Sequence, residues 1–157
     1  MEDYKGGYMI DKEYLQKRFR FFVKKMGLED WNLKLEFIEH DWKNTGNVKV
    51  DEEGKTAIVY LNIFNPKQEN LEEVLIHELC HVKLWKLDMF CESLLDATFT
   101  NKDSKEYSFG YDQFMIALER TTQEFAKTYT ALLAKNKNLS FNRCDERMKF
   151  KEQEFGN

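Results

Sequence analysis

The sequence predicts an α+β domain. Three observations carry that prediction: a helical stretch opens the chain, alternating strands with a hairpin follow, and two long helical stretches come after them. At 157 residues the chain has single-domain size and can bury one core. We read 1–157 as one domain, with a core over about 11–135 and a tail over 136–157.

The first helix is expected over 11–26 (DKEYLQKRFRFFVKKM). Asp11 can cap its start and Gly27 suits a left-handed stop. Tyr14, Phe21, Phe22 and Met26 supply apolar positions, with Lys and Arg on the other side. Residues 31–38 (WNLKLEFI) alternate: Trp31, Leu33, Leu35 and Phe37 point one way, and Asn32, Lys34 and Glu36 the other. A short strand over 47–51, a turn at Glu53-Gly54 and a strand over 55–64 read as a hairpin. We therefore expect a small, twisted, mainly antiparallel sheet of three or more strands.

Asn70 opens a long helix, with Glu73 at capping-box spacing behind it. Residues 86–97 either continue that helix or break into a second, shorter one. A polar loop is expected over 98–110 and a second long helix over 111–135, with Leu118, Thr122, Phe125, Tyr129 and Leu132 on one stripe. From Asn136 the chain turns polar and reads as a tail with a short helix at most.

Composition narrows the class. Hydrophobic residues at 42% and aromatics at 15% exclude a disordered chain. No apolar run reaches the length of a membrane span, and the opening MEDYKGGYMIDKEY lacks the apolar segment of a signal peptide. Three Cys without close spacing form neither a disulfide framework nor a C-x-x-C site. The expectation is a cytoplasmic, reduced protein that engages no membrane. Its oligomeric state is open. The net charge of −4 is no sign of nucleic-acid binding. KRFRFFVKK at 17–25 is the one local basic run, and its aromatics fall at core-like spacing.

The chemistry lies in His77-Glu78-Leu79-Cys80-His81, an H-E-x-x-H inside the capped helix. Residues i and i+4 stand nearly above one another, so both imidazoles can reach one ion. Glu78 lies about 100° round the axis from His77, so it cannot join that face as a ligand but can reach a water there. Zinc held by three protein groups keeps a fourth position open and lowers the pKa of water to about 7. Glu78 is then the general base. Cys80, between the two His, reads as buried filler or as a reactive thiol.

A third ligand must come from elsewhere. No His follows His81, and His40 reads as a loop residue. The ligand is then a carboxylate, or less simply Cys91 or Cys144. The second long helix offers Glu119 and Glu124, about 140° apart, so they cannot serve one site. Glu119 lies beside the apolar stripe and Glu124 faces away, which favours Glu119.

In this order of elements, with W-x-L-x-L-x-F, LEEVLIHELCHVKLWKLD and ALERTTQEFA, the chain resembles the gluzincin branch of zinc metallopeptidases. In size it is similar to the minigluzincins and to H-E-x-x-H metallopeptidases encoded in phages and prophages. The resemblance covers roughly residues 15 to 135, and only H-E-x-x-H is a strongly specific motif. It implies a zincin-like fold and a hydrolase that cleaves peptide bonds. It also implies Zn2+ held by His77, His81 and Glu119, with Glu78 as base. Where thermolysin-like members carry an Asp that supports a zinc His, this chain has Gln123, which can still accept a hydrogen bond. By position, the strand from Ala57 to Phe64 would receive peptide or protein substrate along its edge. Tyr107, Tyr111 or Tyr129 would stabilise the oxyanion. The tail from Asn136 would either cover the cleft or lie on the surface. The reading from another class is a zincin-like module that binds a partner protein without cutting it.

Overall fold

The computed structural model describes residues 10–51 and 53–139. Its elements are α1 (Lys12–Lys25), β1 (Asn32–Ile38), β2 (Gly46–Asp51), β3 (Thr56–Asn62), α2 (Leu71–Thr98) and α3 (Lys105–Leu133). The class is α+β. No helix among the described residues is long and apolar enough to cross a membrane.

Local chemistry sets the helix ends. The Asp11 carboxylate accepts from the Tyr14 N–H, and Gly27 takes φ +69°, a left-handed value that glycine adopts without a Cβ clash. The buried face of α1 is Leu15, Phe19, Phe22 and Met26. Tyr14 and Phe21, expected on that face, are only partly buried and flank it. The Asn70 side chain caps α2 by accepting from the Glu73 N–H.

The sheet is mixed, which corrects the expected mainly antiparallel arrangement. Its order is β1-β3-β2, with β1 parallel and β2 antiparallel to β3. Chain order does not match spatial order because residues 39–45 carry the chain past the place that β3 later fills. Asn62, fully buried, pins that crossing: its amide donates to the carbonyls of Trp42 and Asn44. The strand from Ala57 to Phe64 is therefore not an edge. It ends at Asn62, and both of its sides are spent on β1 and β2.

Leu35, Val59 and Val48 align across the sheet in register, as do Leu33, Ala57 and Val50. This apolar face meets α1 and the first half of α2, and together they make the core. Residues 72–80 of α2 are buried on every side, the signature of a central helix. The rest of α2 leaves this core as an unbroken helix, with Leu87, Phe90 and Leu94 exposed.

α3 begins at Lys105, well inside the expected loop. Ser104 is its cap, accepting from the Tyr107 N–H, so the loop shrinks to 99–104. Gly110 sits within the helix where a Cβ would stand 3.1 Å from Leu95. The stripe that α3 buries is Leu118, Thr122, Ala126 and Thr130, while Phe125 and Leu132 are exposed. Small side chains at 122, 126 and 130 let α3 lie close on α2. Beyond α3, the N–H groups of Lys135 and Asn136 donate to the Glu72 carboxylate, and the Asn70 amide donates to the carbonyls of Asn136 and Asn138. The expected tail from 140 onward lies outside the described residues.

Candidate metal centre

His77 and His81 are one turn apart on the buried half of α2, and Glu119 reaches them from α3. The His77 and His81 Nε2 atoms are 3.2 Å apart. Glu119 Oε2 lies 3.5 Å from His77 Nε2, and its Oε1 lies 3.3 Å from His81 Nε2. Four ligands about 2.0–2.1 Å from a tetrahedral zinc ion stand about 3.3–3.4 Å from one another, so each of these separations is of the size expected between two ligands of one ion, the two from Glu119 being made by different carboxylate oxygens. These residues are a group able to hold a metal ion. The imidazoles are nearly buried, whereas Glu119 is 42% exposed, so the triangle opens to solvent on its carboxylate side.

The electrostatics describe the metal-free cluster. Burial opposes a charge on His77, but the Glu119 carboxylate, the Glu78 charge and the hydrogen bond to Gln123 outweigh it and raise its pKa. Hydrogen bonds from His77 and His81 hold Glu119 well below the usual carboxylate range.

Glu78 is buried and points off the ligand triangle. Burial pushes its pKa up; the two imidazoles pull against this and Glu119 adds to it. Its Oε1 lies where a Cβ on Gly46, at the start of β2, would be 2.6 Å away. Glu78 therefore sits between the His/His/Glu triangle and the outermost strand.

The other candidates separate cleanly. Glu124 is 72% exposed and pairs with Lys127. His40 is exposed at a strand end. Cys91 is partly buried and outside the cluster, and Cys144 lies outside the described residues. Cys80 is buried, and burial pushes its thiol up to about 12, which makes it filler and no nucleophile. Tyr107, Tyr111 and Tyr129 share a helix with Glu119 but stand about 18, 12 and 15 Å from it along the axis, beyond the reach of a side chain. Tyr107 donates instead to Asp96 at the far tip of the helix pair.

Gln123 accepts from His77 Nδ1 at 2.8 Å through its Oε1, leaving Nε2 directed at the triangle. Its own Nε2 donates to the fully buried Glu73 at 3.2 Å. Sequence reasoning identified Gln123 but took Glu73 only as a capping residue. It also passed over Asp88, whose pKa burial raises, with His81 pulling against that rise and Glu119 adding to it. Its spacing was the available signal: Asp88 is seven residues past His81 and hence on the same helix face.

No family model, no curated protein and no solved structure matches this chain.

Proposed function

We propose that the protein is a zinc metallopeptidase of gluzincin type. The observation that carries this reading is the placing of Glu78. It is a buried carboxylate with a raised pKa, beside a His/His/Glu cluster able to hold a metal ion yet not part of it. A site that only stored a metal would have no use for such a neighbour. When bound, zinc supplies a Lewis acid that polarises a carbonyl and lowers the pKa of water. His77, His81 and Glu119 hold the ion, and Gln123 orients the His77 ring. Glu78 takes a proton from the attacking water and hands it to the departing amine, a task suited to a carboxylate whose pKa burial raises.

The peptide lies along β2 and not along β3. Among the described strands, β2 is the outer one on the Glu78 side, and its main chain pairs only with β3. An extended substrate added there would be held through backbone groups. The activity belongs in the cytoplasm, where the unpaired Cys80 and Cys91 stay reduced.

The test is Glu78→Gln, assayed for bound zinc and for new termini in a broad peptide library. Zinc content should stay at the wild-type level while cleavage falls by about 10²–10⁴-fold. Cleavage at the wild-type rate would sink the mechanism. A wild-type protein that holds zinc but produces no new termini would leave a partner-binding module in its place.

A further inference from the structure

We propose that Glu73 is a positioning residue for the metal centre, acting through Gln123 to hold His77 in the tautomer that can bind a cation. The inference rests on the metal reading of the cluster and not on peptide cleavage.

The argument follows the hydrogen atoms. A neutral imidazole carries its proton on one nitrogen, and a metal needs the lone pair of the other. In His77 the nitrogen facing His81 and Glu119 is Nε2, so the proton belongs on Nδ1. Nδ1 faces the side-chain amide of Gln123. An amide can present either its oxygen or its NH₂, and the two ends have nearly the same shape. Turned one way, Gln123 accepts from Nδ1–H and leaves Nε2 open. Turned the other way, it donates to Nδ1 and drives the proton onto Nε2, into the ligand triangle. Glutamine alone does not choose.

Glu73 supplies the choice. Its Oε1 takes the Gln123 NH₂ at 3.2 Å, and a carboxylate only accepts. A reversed Gln123 would set its oxygen against that oxygen in a fully buried position, where unpaired polar groups are most costly. Glu73 is one turn before His77 on α2, and Gln123 is one turn after Glu119 on α3. The relay therefore runs from α2 to α3 and back to α2, beside the triangle throughout. Through it an acid outside the ligand set fixes the direction of a ligand's lone pair.

The test uses the full chain in three forms: Glu73→Gln, Gln123→Glu and the double exchange E73Q/Q123E. Metal-free protein is read by nitrogen NMR of the histidine rings above the His77 pKa, and zinc affinity by competition with a chromophoric chelator. Wild type should show His77 protonated on Nδ1. E73Q should show mixed tautomers, because an amide at 73 can donate as well as accept. Q123E sets two carboxylates against each other. Each single change should weaken zinc by about 10–100-fold, the usual effect of losing a ligand's hydrogen-bond partner. In the double exchange, the carboxylate at 123 accepts from His77 and from the new amide at 73. Zinc affinity should then return to within about fivefold of wild type, a non-additivity expected only of residues in one network.

An E73Q protein with the wild-type tautomer and affinity would overturn the proposal, as would a double variant no better than the weaker single. If E73Q fails to fold, Gln123→Met cuts the same link with Glu73 in place. Mixed His77 tautomers there support the relay, and an unchanged ring overturns it. The ring measurement needs no metal. A wild type that holds Nδ1–H but binds no zinc would remove the metal reading while leaving the relay standing.

Discussion

A Cβ on Gly46 would stand 2.6 Å from Oε1 of Glu78 and 2.7 Å from Cγ1 of Val74. The glycine that opens β2 thus makes room for the proposed base. Gly46→Ala forces Glu78 or the strand to move. We expect a loss of about 1–3 kcal/mol in urea unfolding, the usual cost of overpacking. Cleavage should fall further than stability accounts for, because Glu78 is displaced. Zinc affinity should change only a fewfold, since the atoms nearest that Cβ belong to Glu78 and Val74 and not to a ligand. Cleavage at the wild-type rate in a folded Gly46→Ala protein would show that this packing does not position the acid.

Glu119 and Glu124 lie on one helix, but only the first faces α2. Glu119→Ala removes one corner of the triangle and should lower zinc affinity by at least about 100-fold, leaving two imidazoles where a zinc site wants three or four protein ligands. Glu124→Ala loses a surface pair with Lys127 and should leave both zinc content and stability within about 0.5 kcal/mol of wild type. Metal analysis of the two purified variants checks this. Equal loss from both would contradict the assignment.

Protons and metal compete for the same atoms. The His77 pKa is raised above its ordinary 6.5, so the stability it lends the metal-free chain is fully present below that value and is lost as pH rises through the folded pKa. Glu119 is depressed, so its contribution is present above 4.5 and is lost only as pH falls through its folded pKa. Glu78 is raised, and its burial disfavours the ionised form, so it too makes the chain less stable as pH climbs. The Tm of metal-free protein should therefore be higher near about pH 6 than near about pH 8. Added zinc should stabilise more at the higher pH, where fewer protons must be displaced. Thermal melts with and without zinc at both pH values decide it. A Tm that rises with pH in the absence of metal would contradict the cluster's electrostatics.

Arg18 of α1 forms a nearly buried ion pair with Glu72 of α2, and its NH2 group also donates to the Leu133 carbonyl at the end of α3. Glu72 meanwhile receives the N–H groups of Lys135 and Asn136. One ion pair thus ties all three helices together at the end of α2 that precedes the metal ligands. Arg18→Leu leaves Glu72 without its cation and should cost about 3–5 kcal/mol in urea unfolding, the usual result of breaking a buried pair from one side. Zinc affinity of the folded fraction should be unchanged. A loss below about 1 kcal/mol would place this pair among surface-like contacts.

Much of this was open to a reader of the sequence, and the division has a physical cause. Helix periodicity and capping are local, so H-E-x-x-H, the Asp11 and Asn70 caps and the left-handed Gly27 could be read from neighbouring residues. That one of two acids 140° apart must face the ligands followed from the same geometry. Strand neighbours are a different matter. The hairpin of β2 and β3 is local and was legible, but the parallel pairing of β1 with β3 joins residues more than twenty positions apart, and no pattern within either strand names its partner. That pairing put β3 in the centre and left β2 as the outer strand beside Glu78. The α3 stripe was misjudged for a related reason: helical spacing finds apolar rows, but the small row Thr122-Ala126-Thr130 is the one that lets two helices approach. Glu73 shows the limit most clearly. In the sequence it is a helix-capping acid; only the packing of α3 against α2 brings Gln123 between it and His77.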